Sequence, residues 1–453
     1  MRCCGVTYWL RTPNAGNANN VRNCNAGNGG ALNNNNANNA NAVAPIGGNS
    51  EFQVPLGKQS VTRKEFISCF LKGAKRLRTV VSYEIVCLQA LAFYMKDNYF
   101  DKSMSYGNMR RALRKCGNNV RWKDSVVGYE LHAPQHTHSL IEDIRNETYK
   151  ISPYQRFTIY EPKRREIVAT RINDRQVQMA LCDGGLYQDF TEHFIYDNAA
   201  CQRGKGTDFA IKRLKVHLLR FYREHKREGW VIKCDIQGFF PSTRHEVAKA
   251  AAKKRIVDDK AYKMVSDIID SFEGDIGIGL GSQISQLLEL AVLDDLDHFI
   301  KERLHIKHYL RYMDDFVLIH EDKAYLQHCR KEIEKKLTKI HLKLNRKTSL
   351  YPLKQGVKFL QWRFILTESG GIRIKMNSKK QGRERRRLVK LAGKELKGEV
   401  VPGTTLNSFI SWKSNADKGD TYYQVKRMQR HYAKLERMLR NGNNSGTVIK
   451  NGT

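Results

Sequence analysis

The feature that most constrains this chain is a pair of adjacent aspartates inside a strongly apolar stretch. Asp314 and Asp315 stand in the run HYLRYMDDFVLIH, where apolar and aromatic residues flank them on both sides. This pattern predicts a strand, a tight turn and a second strand, with the acids at the tip of the hairpin. Carboxylates surrounded by buried strand are costly unless a cation neutralises them. An ordinary surface turn also favours Asp, so the pair alone does not decide between the two interpretations.

Asp235 supplies a second strand-end acid. It ends the β-rich run WVIKCD and is followed by Ile236 and then by QGFFP. Two such carboxylate sites in one basic chain form a candidate set of divalent-metal ligands, because Mg²⁺ prefers carboxylates together with substrate phosphates. Two ions roughly 4 Å apart would bind an attacking 3′-oxygen and a pyrophosphate leaving group.

The charge of the chain indicates a polyanionic partner. Its 453 residues include 79 Lys and Arg against 46 Asp and Glu, a formal net charge of +33. Nucleic acid is the first candidate for such a chain, and a membrane surface is the second. We find no apolar run of about 18 residues that would span a membrane, and the first residues do not resemble a secretory signal. The ten cysteines form no C-x-x-C pair, which favours reduced cytosolic thiols over a disulfide framework or a zinc site.

Composition divides the chain into successive segments. Residues 1–60 are rich in Asn, Gly and Ala, and we expect disorder or loose structure over residues 1–50 because little apolar surface offsets the entropy of ordering them. Apolar spacing predicts helix within residues 61–107. Helical stretches then alternate with short β-rich runs as far as residue 370, and residues 371–453 are basic and helical.

Several blocks of this chain resemble reverse transcriptases. In that family a D-I-x-x-F-F block, here 235–240, precedes Y-M-D-D, here 312–315, in the palm. Further blocks resemble the family in the same order: 160–167 (YEPKRREI), 173–177 (NDRQV), 204–209 (GKGTDF), 344–348 (LNRKT) and 357–362 (VKFLQW). The resemblance covers residues 108–364 and is to the bacterial, group II intron-like branch. It implies an α/β (α+β) right-hand polymerase with fingers at 108–230, a palm built on an antiparallel sheet at 231–370 and a basic helical thumb at 371–453.

One block indicates which group of reverse transcriptases the chain resembles. Residues 280–286 (LGSQISQ) occupy the position of Q-G-x-x-x-S-P in most reverse transcriptases. A leading aliphatic residue with a trailing Gln is similar to the enzymes of diversity-generating retroelements, which copy a template-repeat RNA with errors at adenines so that the cDNA replaces a variable repeat in a target gene. Neutral drift within ordinary reverse transcriptases is the alternative explanation.

The Asn-rich beginning of the chain agrees with this narrower resemblance. It resembles the end of a C-type-lectin-like variable protein encoded by an unmutated template repeat, since adenine changes in the Asn codons AAC and AAT never create a stop codon. We expect the reading frame to begin inside the template repeat, with residues 1–94 dispensable and the native start at Met95. An Asn-rich disordered or aggregation-prone tail is the alternative.

The resemblance assigns roles to individual residues. It implies that Asp235, Asp314 and Asp315 are catalytic and, with Ile236, hold two Mg²⁺ ions, for which Mn²⁺ could substitute. Phe240 matches the aromatic ring that excludes a ribose 2′-OH and favours dNTPs, with plain core packing as the alternative. The other expected nucleotide-binding residues are Lys163, Arg165, Arg175, Leu280, Gly281 and Lys347.

These nucleotide contacts have separate physical reasons. Lys163, Arg165 and Arg175 match triphosphate in charge and geometry, although each could instead be one more solvated cation. Lys347 is a candidate general acid for the departing pyrophosphate. Leu280 stands where more accurate relatives carry a Gln that touches the sugar, so we expect weaker discrimination between correct and incorrect nucleotides.

The leading hypothesis is an error-prone RNA-directed DNA polymerase of a diversity-generating retroelement. Its partners would be template RNA, nascent cDNA and dNTPs. The resemblance also implies a small basic helical accessory protein and a cytoplasmic enzyme, encoded by a bacterium or phage, that does not bind a membrane. The alternatives are a group II intron-like or retron-type reverse transcriptase with another role, and a non-catalytic RNA-binding protein.

Overall fold

The computed structural model describes residues 98–118, 120–160, 164–279 and 281–449, together with the backbone of four short strands near the beginning of the chain. These strands pair in sequence order, β1 (Arg2–Cys3) with β2 (Val6–Thr7) and β3 (Asn20–Cys24) with β4 (Leu32–Asn36). The other residues of the segment predicted to be disordered, and the helix predicted within residues 61–97, lie outside the described part. The chain divides into two compact units, residues 1–101 and 102–453.

Short helices and one hairpin follow residue 98. They are α1 (Tyr99–Ser103), α2 (Tyr106–Cys116), α3 (Asp124–Leu131), α4 (Ala133–Arg145), β5 (Gln155–Ile159), β6 (Arg165–Ala169), α5 (Ile172–Leu181) and α6 (Tyr187–Thr191). Helix α2 is amphipathic: it buries Met109 and Leu113 and packs mainly against α5. Strands β5 and β6 pair antiparallel, so alternate residues face opposite sides of the hairpin. A π-helical turn, Cys182–Leu186, joins α5 to α6.

A four-stranded antiparallel sheet lies at the centre of the larger unit. Its strands are β7 (Trp230–Asp235), β8 (His308–Tyr312), β9 (Asp315–His320) and β10 (Ser349–Pro352), in the order β10-β7-β9-β8. The helices around it are α7 (Thr207–His225), α8 (Phe239–Ser242), α9 (His245–Arg255), α10 (Asp259–Asp270), α11 (Gln283–Val292), α12 (Asp294–His298), the π-helical segment Phe299–Arg303 and α13 (Lys323–Lys339). The strands predicted in WVIKCD and on both sides of the aspartate pair are confirmed.

Helices cover this sheet, which explains its composition. Helix α7 contacts β8, and α13 contacts β7 and β9. Strand β9 therefore reads as a continuous apolar run, since Phe316, Val317, Leu318 and Ile319 are at most 1% exposed.

A second antiparallel sheet and three helices complete the chain. They are β11 (Val357–Phe359), β12 (Trp362–Leu366), β13 (Ile372–Met376), α14 (Ser378–Leu396), α15 (Thr404–Ala416) and α16 (Tyr422–Ile449). The β-rich run at 357–366 is split by Leu360 and Gln361, whose positive φ angles of 47° and 69° make a two-residue turn. The predicted basic helices are confirmed as α14 and α16. Leu388 of α14, Trp412 of α15 and Met428 of α16 lie in one buried cluster with Phe364 of β12, which anchors the three helices to the sheet.

The fold is mixed α and β with antiparallel sheets, which confirms the predicted α/β (α+β) class. In the part of the chain that the structure describes, no helix is both long and apolar enough to cross a membrane. Cys116, Cys182, Cys201, Cys234 and Cys329 are free thiols, and all of them except Cys201 are buried.

Candidate active site

The three aspartates singled out from the sequence meet at one end of the central sheet. Asp235 is the last residue of β7 and lies opposite Asp315, the first residue of β9. Asp314 occupies the two-residue turn between β8 and β9, and its backbone carbonyl accepts a hydrogen bond from the Ile236 N–H at 3.2 Å. The Ile236 side chain is a buried hydrocarbon, 1% exposed, so the backbone carbonyl oxygen is the only ligand that this residue could offer a cation.

Asp315 is held in an unfavourable electrostatic environment. Burial raises the pKa of its carboxyl to about 7, and the charges of Asp235 and Asp314 act in the same direction. Lys233 opposes them, with its ammonium 3.3 Å from Asp315 Oδ2. The other oxygen, Oδ1, is buried without a hydrogen-bond partner. The carboxyl is therefore only half-compensated, with Oδ1 left without a bonding partner.

Asn345 fixes the position of Asp235. Its side-chain amide donates to Asp235 Oδ2 at 2.9 Å, and its backbone N–H donates to the Asp235 carbonyl at 2.7 Å. The Lys347 N–H in turn donates to Asn345 Oδ1 at 3.1 Å, while the Lys347 side chain is exposed. The predicted block 344–348 therefore contacts the first aspartate through Asn345, a residue that sequence analysis did not single out.

A buried arginine on β8 holds the backbone of the aspartate turn. Arg311 is 0% exposed and forms a bidentate ion pair with Asp297, with Nε 2.7 Å from Oδ1 and Nη2 2.5 Å from Oδ2. The Tyr309 hydroxyl donates to the same Asp297 Oδ1 at 2.6 Å. Arg311 Nη1 then donates to the backbone carbonyl of Met313 at 3.1 Å. Because Met313 has a φ of 56°, which non-glycine residues rarely adopt, this contact stabilises a strained turn.

A second acid anchors the strand that carries Arg311. The Arg311 N–H donates to the Asp197 carbonyl at 3.1 Å, and the Arg311 carbonyl accepts from the Ala199 N–H at 2.9 Å. The Asp197 carboxylate is paired with the Arg213 guanidinium at 2.6 Å and with Lys301 at 3.3 Å. The local sequence gives no signal for this network, since its members come from three separate parts of the chain.

One open cavity, of about 500 Å³, has both Phe240 and Arg165 in its wall. Arg156 and Arg164 also line it, and the palm contributes residues 276–279. Phe240 is half-buried beside the fully enclosed ring of Phe239. The structure thus brings together two of the predicted nucleotide-binding residues, and it adds two arginines that sequence analysis did not name.

Gly281 brings the 280–286 block against the fingers hairpin. Its φ of 140° favours glycine, and a Cβ there would lie 2.9 Å from the carbonyl oxygen of Val168 on β6. Ser282 then caps α11, because its hydroxyl accepts a hydrogen bond from the Ser285 N–H at 3.0 Å. The structure therefore places the start of this block next to the same hairpin whose other residues line the Phe240 cavity.

Three predicted residues are placed differently or not described. Arg175 lines a separate cavity of about 420 Å³ with Phe157 and Lys123, on the side of the hairpin opposite Arg156. The structure therefore does not bring Arg175 together with Phe240. Lys163 and Leu280 lie outside the described residues.

Among the described residues, no three His, Cys, Asp or Glu side chains form a ready-made metal cage. The carboxylates still fit a hard divalent cation, because Asp315 Oδ1 has no partner and Asp235 faces it across the two strands. Mg²⁺ commonly binds through one or two carboxylates plus substrate phosphates, so an incomplete protein cage suits it.

Residues 161–364 match the family model described as reverse transcriptase (RNA-dependent DNA polymerase). The chain contains a reverse transcriptase domain. The matched region includes the three aspartates, the Arg311 network and the Phe240 cavity wall from Arg164 onward. A search of curated proteins finds no match to the chain.

Solved telomerase structures are similar to the chain at low identity. The apo telomerase from Candida tropicalis is 12% identical with a TM-score of 0.42, over 52% of this chain and 49% of that one. The same apo telomerase truncated from its C-terminal domain is 13% identical with a TM-score of 0.39, over 54% and 60%. Telomerase from Candida albicans in complex with a TWJ fragment of telomeric RNA is 10% identical with a TM-score of 0.42, over 66% and 58%. The chain thus spans less than two thirds of each.

The C-terminal helices carry a basic cleft. A cavity of about 410 Å³ between α14 and α16 is lined by Arg385, Arg427, Arg430, His431 and Lys434. No acidic side chain lines it. Cations in this arrangement suit the phosphate backbone of a nucleic acid, which they would bind without reading its sequence.

Proposed function

We propose that the reverse transcriptase domain makes error-prone cDNA from a template-repeat RNA and so diversifies a target gene. The observation that carries the polymerase chemistry is the meeting of Asp235, Asp314 and Asp315 at one end of the sheet. Five residues after Asp235, Phe240 lines a cavity of nucleotide size. The narrower role is supported by the 280–286 block, which Gly281 packs against the wall of that cavity. A group II intron-like or retron-type enzyme with another role is the second candidate.

The aspartates act here as metal-binding carboxylates. Asp235, Asp314 and Asp315, with the Ile236 carbonyl, would hold two Mg²⁺ ions, or Mn²⁺ in their place. When bound, these ions neutralise charge on the attacking 3′-oxygen and on the pyrophosphate. Asn345 keeps Asp235 oriented through two hydrogen bonds, and Lys233 limits the repulsion at Asp315.

The cavity wall would bind the incoming dNTP. Arg165 and Lys163 would contact the triphosphate, and Phe240 would exclude a ribose 2′-OH by contact with its ring. Lys347 would hold the proton that the departing pyrophosphate takes up. Arg175, on the opposite side of the hairpin, would contact nucleic acid phosphate there.

The basic cleft between α14 and α16 would hold the template–primer duplex. Arg385, Arg427 and Lys434 would contact phosphates of template RNA and nascent cDNA without reading sequence. Substituting these three residues by Ala should weaken RNA–DNA hybrid binding and reduce its dependence on salt concentration, since fewer counterions are released on binding. Unchanged salt dependence would contradict this assignment.

The polymerase assignment is tested by primer extension on an RNA template with Mg²⁺. Asp314→Ala should abolish extension, because it removes a carboxylate from the metal site, while RNA binding measured by filter retention stays near the wild-type value. Glu228→Gln, a change at a carboxylate that is 75% exposed, is the matched control. Near-wild-type extension by Asp314→Ala would refute the assignment and leave the RNA-binding protein as the better interpretation.

The diversifying role is tested by sequencing the cDNA. Leu280 offers shape but no hydrogen bond, and one lost hydrogen bond of roughly 1–3 kcal/mol corresponds to about one to two decades of discrimination. We expect errors concentrated opposite template adenines, and we expect Leu280→Gln to reduce them while activity is retained. Error rates unchanged in Leu280→Gln would show that Leu280 does not set fidelity. Uniform errors at all four template bases would favour the second candidate.

Three further parts of the proposal concern a partner protein, the first residues of the chain and the location of the enzyme in the cell. A small basic helical accessory protein would join the polymerase on its RNA, and template-specific synthesis by the purified polymerase with bare RNA would argue against it. Residues 1–60 would be translated template repeat and residues 1–94 would be dispensable, so a chain beginning at Met95 should keep full extension activity. We also propose a cytoplasmic enzyme encoded by a bacterium or phage, which the free described thiols support.

A further inference from the structure

A glutamate with no charged partner is buried close to the active site. Glu289 lies on α11 and is 0% exposed. Its Oε2 is 3.0 Å from the Thr243 hydroxyl, and its Oε1 has no hydrogen-bond partner. An ionised carboxylate in such surroundings is costly, since one hydroxyl cannot replace the water that it loses. The polymerase chemistry described above makes no use of this residue.

The hydrogen bonds of Thr243 indicate which form of Glu289 the fold accommodates. The Thr243 hydroxyl lies 3.0 Å from the Phe239 carbonyl and 3.0 Å from Glu289 Oε2. A hydroxyl carries a single proton and cannot donate to two acceptors at full strength. A protonated Glu289 satisfies both contacts, because it donates to the Thr243 oxygen while Thr243 donates to Phe239.

The electrostatics of the site favour the same form. Burial raises the pKa of Glu289 to about 8, although the hydrogen bond from Thr243 opposes the rise, and the charge of Asp314 adds to it. An ionised Glu289 would bring a further negative charge towards three carboxylates that already repel one another. The neutral form avoids that repulsion.

The contact between Glu289 and Thr243 fixes the segment that carries Phe240. Thr243 follows α8, a helix of four residues that cannot hold its own position. On its other side the segment is bonded to the strand-like run before the 280–286 block, where the Phe240 carbonyl accepts from the Ile278 N–H at 2.9 Å and the Thr243 carbonyl from the Gly277 N–H at 2.8 Å. The segment is thus held between that run and α11.

We propose that neutral Glu289 is a positioning residue that fixes Phe240 through Thr243 and thereby sets the enzyme's selection of dNTP over rNTP. The inference rests on the proposed function of Phe240 as the ring that excludes a ribose 2′-OH. Phe240 lines the nucleotide-sized cavity, whereas Glu289 does not, so Glu289 acts through the segment between them. Helix α11 therefore links the 280–286 block to sugar selection.

The test compares substitutions that keep or remove the hydrogen bond. Single-nucleotide extension with dNTP and rNTP gives kcat/KM for each, and their ratio is the selectivity. Glu289→Gln keeps a donor towards Thr243 and should retain the wild-type ratio, whereas Glu289→Leu should lower it about tenfold, the value of one lost hydrogen bond. Thr243→Ser and Thr243→Val form a second matched pair in which Ser keeps the ratio and Val lowers it. Circular dichroism and thermal melting establish that each variant is folded.

A double substitution separates this inference from the role of Phe240. If Glu289 acts through the ring, Glu289→Leu should change the ratio no further in a Phe240→Ala background. A folded Glu289→Leu with the wild-type ratio would overturn the inference, as would a Glu289→Gln as impaired as Glu289→Leu. If Glu289→Leu does not fold, the Thr243 pair decides by the same ratio. If Phe240→Ala itself leaves the ratio unchanged, the proposed role of the ring fails instead.

Discussion

The carboxyl of Asp315 should destabilise the metal-free protein, so removing its charge should make the fold more stable while abolishing extension. Its burial and its acidic neighbours raise its pKa to about 7 from the ordinary value of 3.8. Asp315→Asn keeps the size and polarity of the side chain and cannot ionise. Stability and catalysis should therefore change in opposite directions, which is common where a site is built to bind charge.

The magnitude follows from the displaced pKa. One pKa unit corresponds to about 1.4 kcal/mol, so the shift from 3.8 to about 7 amounts to about 4 kcal/mol above pH 7. Between these two pH values the folded wild type binds more protons than the unfolded chain, so its stability falls as pH rises. The favourable contact with Lys233 is already included in the raised pKa, so its loss in the variant is not subtracted again. A net gain of about 4 kcal/mol is expected at pH 8, falling to about 2 kcal/mol at pH 5.

The assay is urea unfolding in EDTA at several pH values between 4 and 8. The advantage of Asp315→Asn should grow from pH 4 to pH 7 and level off above it. Glu228→Gln, the exposed control, should show no such trend. An advantage that is constant with pH, or a variant less stable than wild type at pH 8, would refute the electrostatic reasoning.

Three further predictions concern the support of the site. Arg311→Met should cost about 3–5 kcal/mol in urea unfolding, because its carboxylate partner is left buried and unpaired, and a cost below 1 kcal/mol would show that the ion pair matters little. Asn345→Ala should lower kcat about tenfold by freeing Asp235, with the melting temperature almost unchanged; equal kcat would contradict this. Gly281→Ala should lower kcat/KM for dNTPs by one to two decades (about 10- to 100-fold) by displacing the hairpin at Val168, and unaltered kinetics would mean that the hairpin adjusts.

The elements that could be predicted are those with a local pattern. The strands flanking Asp314 and Asp315 are marked by continuous apolar residues, and the two basic helices by charge and spacing. Asp235 and Asp315 were each recognisable from the sequence as acids at the end of a strand, and the antiparallel strands β7 and β9 bring these two ends together. The pairing itself was not visible in the sequence. It was inferred from the resemblance of ordered blocks.

The parts that could not be predicted depend on tertiary contacts between distant residues. Arg311 is a buried charged residue in β8, a strand made mostly of apolar and aromatic residues. Its partner Asp297 stands in an acidic run (DDLDH) whose sequence is typical of a solvated helix end. Glu289 occurs in the apolar run LLELAV, where a single acid carries no signal of its own. Arg175 lies in the block where the resemblance places it. The register of the hairpin nevertheless puts the cavity that Arg175 lines on the face opposite Arg156.

The acids around the aspartate turn differ in how far the fold compensates their charge. Asp297 has both oxygens bonded by Arg311, and Asp197 is paired with Arg213 and Lys301. In contrast, Asp315 has one oxygen without a partner although the chain carries an excess of 33 positive charges. A shortage of basic residues therefore does not explain why Asp315 Oδ1 lacks a partner. The fold neutralises the acids that support the turn and leaves Asp315 half-compensated at its tip, where a cation arriving with a nucleotide would complete the compensation.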